Sequence, residues 1–192
     1  MHDRAVILVE GESDQIALTT LATRLGRDLD AEGVSIVVMG GAKNLAKHLH
    51  EYGPGGRRLT MAGLIDAAEG RDLVRALERT GFGVDLEPND AAALGFFLCV
   101  ADLEDELIRA VGVARVETII DARGELRALR TLQKQPAQVN RTVAQQLHRF
   151  MGSKSGRKRE YARRLVEALD LASIPEPLAA VLARVAPEPQ TA

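Results

Sequence analysis

Tryptophan is absent from this 192-residue chain, and only four phenylalanines and two tyrosines are present. The core therefore has to be built from aliphatic side chains. A single cysteine, Cys99, sits inside an apolar run, which excludes a disulfide framework and fits a reducing compartment. No apolar run approaches the roughly 20 residues a membrane-spanning helix requires. Met1-His-Asp-Arg4 leads directly into five apolar residues, too few for the apolar stretch of a secretory signal. These absences point to a soluble, cytoplasmic protein. No internal repeat or long low-complexity stretch interrupts the chain. Zinc chemistry is also disfavoured, because Cys99 is solitary and His48 with His50 has poor helical ligand spacing.

What is present is unevenly distributed. From Met1 to Ala122 there are 12 Lys/Arg against 21 Asp/Glu, a net charge of −9, whereas Arg123 to Arg164 has 12 against two, a net of +10. An acidic body is joined to a basic segment. This suits a metal-binding body with an anion-facing arm, and equally two halves that pack through their charges.

The chain opens on Ala5-Val-Ile-Leu-Val9, five apolar residues that read as a fully buried strand of a parallel sheet. Glu10 stands at its carboxyl end. Gly11 permits a sharp turn, and Glu12, Ser13 and Asp14 can cap and charge a helix from Gln15 to Leu25, with Ile16, Leu18, Leu21, Ala22 and Leu25 inward. Val34–Met39 reads as a second strand, ended by Gly40-Gly41 and followed by a helix over Lys43–Tyr52. That glycine pair beside Lys43 allows phosphate to approach the backbone, but without the spacing of a nucleotide-binding loop a plain turn is the simpler reading. Leu59–Ile65 is a third strand, ending in Asp66-Ala-Ala-Glu69. A helix over Arg71–Thr80, a loop through Glu87-Pro-Asn-Asp90 and a fourth strand over Gly95–Ala101 follow. That strand runs into Asp102-Leu-Glu-Asp-Glu106 and another helix.

Four alternations of strand and helix predict an α/β fold, a parallel four-stranded sheet wrapped by helices. The texture then changes. Residues 1–112 form the α/β domain and 113–192 a basic, helical C-terminal extension, with helices over Ala114–Ile120, Leu126–Leu132, Thr142–Phe150, Arg159–Leu169 and Pro177–Val185. Phe150 to Arg159 is a basic, glycine-containing turn, and Pro187 and Pro189 mark a frayed tail.

In open parallel sheets, ligands bind beyond the carboxyl ends of the strands. Three strands deliver acids there: Glu10 with Asp14, Asp66 with Glu69, and Asp102 with Glu104. Taken singly, each is accounted for as a solvated strand end or a helix cap. Together they repel unless a cation or shared protons intervene. Oxygen donors suit Mg²⁺ or Mn²⁺, and two such ions support phosphodiester hydrolysis. Lys154 or Lys158, on the basic turn, can offset charge on the phosphate, although each is also explained as a solvated surface lysine.

Val9-Glu-Gly-Glu-Ser-Asp14 and Gly63-Leu-Ile-Asp66 together resemble the TOPRIM domain of topoisomerases, primases and recombination proteins. With Ala101-Asp-Leu-Glu-Asp-Glu-Leu107 and Gly156-Arg-Lys-Arg-Glu-Tyr-Ala162, the chain resembles the nuclease half of the overcoming-lysogenisation-defect (OLD) family. The resemblance implies a Mg²⁺- or Mn²⁺-dependent DNA nuclease with two ions. Glu10, Asp14, Asp66, Glu69, Asp102 and Glu104 would be the metal ligands. Glu10 would also be the proton acceptor or donor, and Lys158, or else Lys154, the catalytic lysine. Lys154, Arg157, Lys158 and Arg159 would meet the nucleic acid. Ala68 departs from the family's D-x-D element, where a second aspartate belongs. Full-length OLD proteins carry an ATPase module, yet no G-x-x-x-x-G-K-S/T element occurs here, so the ATPase is expected on a separate polypeptide or the nuclease-like domain stands alone. Ala68 favours an alternative, a non-catalytic nucleic-acid- or partner-binding module on the same fold. A phosphoacceptor receiver domain centred on Asp66 shares the sheet but fits the basic helical tail poorly.

Overall fold

The computed structural model describes residues 3–187, apart from the side chain of Ala42; the end of the chain, with Pro189, lies outside the described residues. The strands are β1 (Ala5–Val9), β2 (Val34–Val38), β3 (Thr60–Asp66) and β4 (Phe96–Cys99). All pair in parallel, in the order β2-β1-β3-β4. All five residues of β1 are buried. Their alternation decides the layers: Val6 and Leu8 face one side, Ala5, Ile7 and Val9 the other.

Against Val6 and Leu8 pack α2 (Leu45–Tyr52), α3 (Gly70–Arg79) and the short α4 (Asp90–Ala93), through Leu45, Leu49, Leu73, Leu77 and Ala91. The opposite face is covered by α1 (Glu12–Arg24) and α5 (Leu103–Val111). On this side also lie α6 (Val113–Ala122), α7 (Leu126–Gln133), α8 (Val143–Met151), α9 (Arg157–Ala168) and α10 (Glu176–Arg184). Residue 112 marks a change in element type and not a break in the core, because Leu147, Tyr161, Leu165 and Val181 share one hydrophobic cluster with Ile7 and Val9. α9 runs along α1, and α10 packs beside β3 and β4. Arginines fix this docking. Arg24 donates to the carbonyls of Val166 (2.6 Å) and Leu169 (2.9 Å), and Arg27 to that of Leu182 (2.6 Å). Cations thus meet the carbonyl-rich ends of α9 and α10, where the helix dipoles favour them.

Several expectations need correction. Gly11 is the N-cap of α1, with an extended φ of −140° that any residue adopts, so no sharp turn requires it. Leu25 is 42% exposed, and Ala17 takes an inward position instead. Asp90 begins a helical turn where a loop was expected. α9 starts at Arg157, so three cations lie in its first turn; Gly156 precedes it with a left-handed φ of 77°. The Gly40-Gly41 turn closes on β1, where the Gly41 amide donates to the Glu10 carbonyl at 3.3 Å, and the plain-turn reading stands.

Gly63 inside β3 has a packing reason. A Cβ there would lie 2.5 Å from Cδ1 of the fully buried Phe96. Gly63→Ala is expected to cost about 1–3 kcal/mol of stability through overpacking. Adding Phe96→Leu should recover part of that loss in urea denaturation, and strict additivity of the two changes would contradict the proposed clash.

Candidate metal centre at the carboxyl ends of the strands

Parallel pairing brings the ends of β1, β3 and β4 to one edge, and the acids that follow them converge there. Glu10 leaves β1 and accepts the backbone N–H of Asp66 on its Oε1 at 3.0 Å, which ties two strand ends together. Asp14, one turn into α1, accepts the Gly11 N–H on Oδ2 at 2.8 Å. Asp66 is the last residue of β3. Asp102 caps α5, accepting the Asp105 N–H on Oδ1 at 3.0 Å. Glu104 is only 3% exposed; its Oε2 accepts from Lys158 Nζ at 3.0 Å. Three of these carboxylates are therefore pinned to backbone N–H groups by one oxygen each. The second oxygens of Glu10 and Asp14 are engaged by no hydrogen bond or ion pair among the described residues.

Proton affinities record the crowding. Burial raises the pKa of Asp66, and the charges of Glu10, Asp102, Asp14 and Glu104 raise it further, to about 7. Asp14 is pushed up to about 6, because burial outweighs the Gly11 hydrogen bond and Glu104 and Glu10 add repulsion. Burial also pushes Asp102 upward, yet its hydrogen bonds with His148 and the Asp105 amide hold it below the ordinary carboxylate value. For Lys158, burial disfavours the charge, but Glu104 more than compensates and its pKa rises.

Glu69 and Lys154 are not gathered into the centre. Glu69 ends a single 3₁₀ turn after β3 and makes no hydrogen bond or ion pair among the described residues. Lys154 is exposed on the turn before α9, lining a small basin with Arg123, Glu125 and Glu160. Of the basic trio at the start of α9, only Lys158 reaches the acids at the strand ends. Arg157 lies over the Phe150 ring, 4.0 Å from its centroid, and donates to Glu125 Oε1 at 2.9 Å. Arg159 pairs with Glu12 at 2.5 Å. Glu106 is structural, with Oε1 accepting the Val100 N–H at 2.9 Å and Oε2 paired with Arg109 at 2.6 Å. Ala68 is exposed and offers nothing.

One member escaped the sequence reading. His148, near the end of α8, places Nε2 2.5 Å from Asp102 Oδ2, a contact that raises the imidazole pKa. Asp102, Glu104 and His148 each offer a donor atom within 4.8 Å of the others, a spacing that fits one cation. Glu104 Oε1 is buried without a hydrogen-bond partner, as a ligand awaiting its ion would be. Nothing in the spacing of residue 148 from 102 announces this meeting; it arises from the packing of α8 on α5.

A family model described as "Overcoming lysogenization defect protein-like, TOPRIM domain" matches residues 3–53. The C-terminal region of the Burkholderia pseudomallei OLD protein superposes with a TM-score of 0.73 at 21% identity, covering 96% of this chain and 98% of that one. The corresponding region of the Xanthomonas campestris pv. campestris OLD protein gives 0.72 at 26% identity, covering 95% and 94%. No curated protein matches significantly. The fold is that of OLD C-terminal TOPRIM regions.

The raised carboxyls fix the sign of a pH effect. Asp66 and Asp14 bind protons more tightly folded than unfolded, relative to a model value of 3.8. Their contribution to stability is full below that value and is lost as pH rises through about 6 to about 7. In EDTA the melting temperature should fall across this window, and the fall should be smaller in Asp66→Asn. Added Mn²⁺ should stabilise increasingly over the same window, because it binds the deprotonated form. Melting temperatures that ignore both pH and Mn²⁺ would contradict the convergence of these acids.

Proposed function

We propose that this OLD-like TOPRIM domain is a nuclease that hydrolyses DNA phosphodiester bonds with Mg²⁺ or Mn²⁺, two ions being used. The observation that carries this reading is the convergence of Glu10, Asp14, Asp66, Asp102 and Glu104 where β1, β3 and β4 end. Bound at such a centre, a pair of divalent ions supplies an activated water and charge neutralisation for the scissile phosphate and leaving oxygen. Glu10, Asp14, Asp66, Asp102 and Glu104 would hold those ions. Glu10, kept in place by the Asp66 N–H, would also serve as proton acceptor or donor. Lys158 is the catalytic lysine in preference to Lys154. Its half-exposed ammonium, 3.0 Å from Glu104, can turn to a phosphate oxygen and offset charge as it develops.

For the DNA path, Arg149 follows His148 on α8 and Arg157 precedes Lys158 on α9. Both line a groove of about 620 Å³ with Arg127, Thr131 and Gln135. Arg127 and Arg149 are exposed and make no ion pair among the described residues, so they offer cations to a phosphate backbone more readily than Arg157 or Arg159. Neutralising Arg127 and Arg149 together should weaken DNA binding and lower the salt slope of its affinity by about two counterions. An unchanged slope would place the DNA elsewhere. No helix among the described residues is long and apolar enough to cross a membrane, and the buried free thiol of Cys99 fits a reducing, cytoplasmic setting. We propose an OLD-type ATPase as a protein partner, the alternative being that the nuclease-like domain acts alone.

Ala68 supports a second reading, a non-catalytic module that binds nucleic acid or a partner. Glu10→Gln separates the two, since glutamine can still accept the Asp66 N–H while losing the charge. Plasmid nicking in Mn²⁺ should fall on the order of a hundredfold, with DNA affinity retained. Equal nicking by both proteins would move the activity elsewhere. DNA binding without nicking, even beside the ATPase partner, would favour the binding module.

A further inference from the structure

We propose that the imidazole of His148 is itself a ligand of the ion held by Asp102 and Glu104, so that this position takes Mn²⁺ or a similar transition-metal cation in preference to Mg²⁺. The inference rests on the metal-dependent reading above and adds a donor that the resemblance does not supply. Its first support is geometric. Donor atoms of Asp102, Glu104 and His148 all lie within 4.8 Å of one another. Neighbouring corners of an octahedron with bonds of about 2.1 Å are about 3 Å apart. Admitting an ion therefore takes a slight opening of the 2.5 Å between His148 Nε2 and Asp102 Oδ2, with the proton they share released to solvent so that the neutral imidazole presents its lone pair. The second support is an unpartnered donor: Glu104 is 3% exposed, and its buried Oε1 has no hydrogen-bond partner.

The scaffold also fixes the imidazole. Thr142 and Gln145 cap α8 reciprocally, and Leu147, Phe150 and Met151 bury its inner side, so the position of His148 on α8 is set by a packed helix. Nitrogen among the donors changes the preference. Mg²⁺ favours oxygen and gives up its water reluctantly, whereas imidazole raises affinity for first-row transition metals. Ala68 removes one carboxylate from the family's set, and His148 brings in a neutral donor from a different helix.

The test is electron spin-echo spectroscopy of Mn²⁺ bound to the full chain, with affinities measured beside it for Mn²⁺ alone and Mg²⁺ alone. Wild type should show ¹⁴N modulation from a coordinated imidazole, and His148→Ala and His148→Gln should both lose it. Mn²⁺ affinity should drop about tenfold or more in both variants, and Mg²⁺ affinity by less than about threefold. Bound Mn²⁺ in wild type without ¹⁴N modulation would overturn the proposal while leaving the nuclease reading intact. So would full Mn²⁺ affinity in His148→Gln, which would reduce His148 to positioning Asp102. A wild type that binds no Mn²⁺ would overturn both readings. The wild-type spectrum decides the question even if a variant fails to fold.

Discussion

Carboxylates that cannot escape one another dominate this molecule. The parallel sheet fixes the ends of β1, β3 and β4 side by side, and each delivers an acid to the same edge. Left alone, such charges drive protons onto the weakest members, and Asp66 and Asp14 carry that burden. The fold tolerates the crowding because Glu10, Asp14 and Asp102 are tied to backbone N–H groups and Glu104 has Lys158 as counter-charge. Stability is sacrificed locally to hold these carboxylates in place, as functional sites commonly do.

The basic helical segment belongs to the same electrostatic arrangement. Three cations in the first turn of α9 oppose its helix dipole, and each is offset by an acid: Arg157 by Glu125, Lys158 by Glu104 and Arg159 by Glu12. Two of those acids belong to the N-terminal body. The opposite net charges of the two parts are thus partly spent on packing them together. What remains for an external anion is narrower than the composition suggests, chiefly Arg127 and Arg149 along the groove, with Lys158 at the centre.

Much of this was legible in the residues. Five apolar residues stopping at Glu10 read as a buried strand with an acid at its end, which β1 is, and the same logic locates Asp66 and Asp102. A strand that is apolar throughout has to be covered on both faces, as β1 is, whereas the strand order is seen only in the folded sheet. What was not legible depends on tertiary packing. His148 meets Asp102 across 46 positions because α8 lies against α5, and no local pattern encodes that. Arg157 looked like a phosphate contact until Phe150 and Glu125 captured it. Gly11 looked like a turn former, but its contribution is an N–H donated to Asp14. Sequence pattern places a charged group at a strand end or helix turn; which charges pair is settled by how the helices dock.

The central claim is that these acids form a divalent-cation site. Anomalous scattering at the manganese edge, from crystals of the full chain grown with Mn²⁺ near neutral pH, tests it most directly. The account predicts anomalous peaks among Glu10, Asp66, Asp102 and Glu104 at ordinary Mn–oxygen distances, with Lys158 displaced from Glu104. Manganese bound only at surface carboxylates, with Lys158 still paired to Glu104, would contradict it.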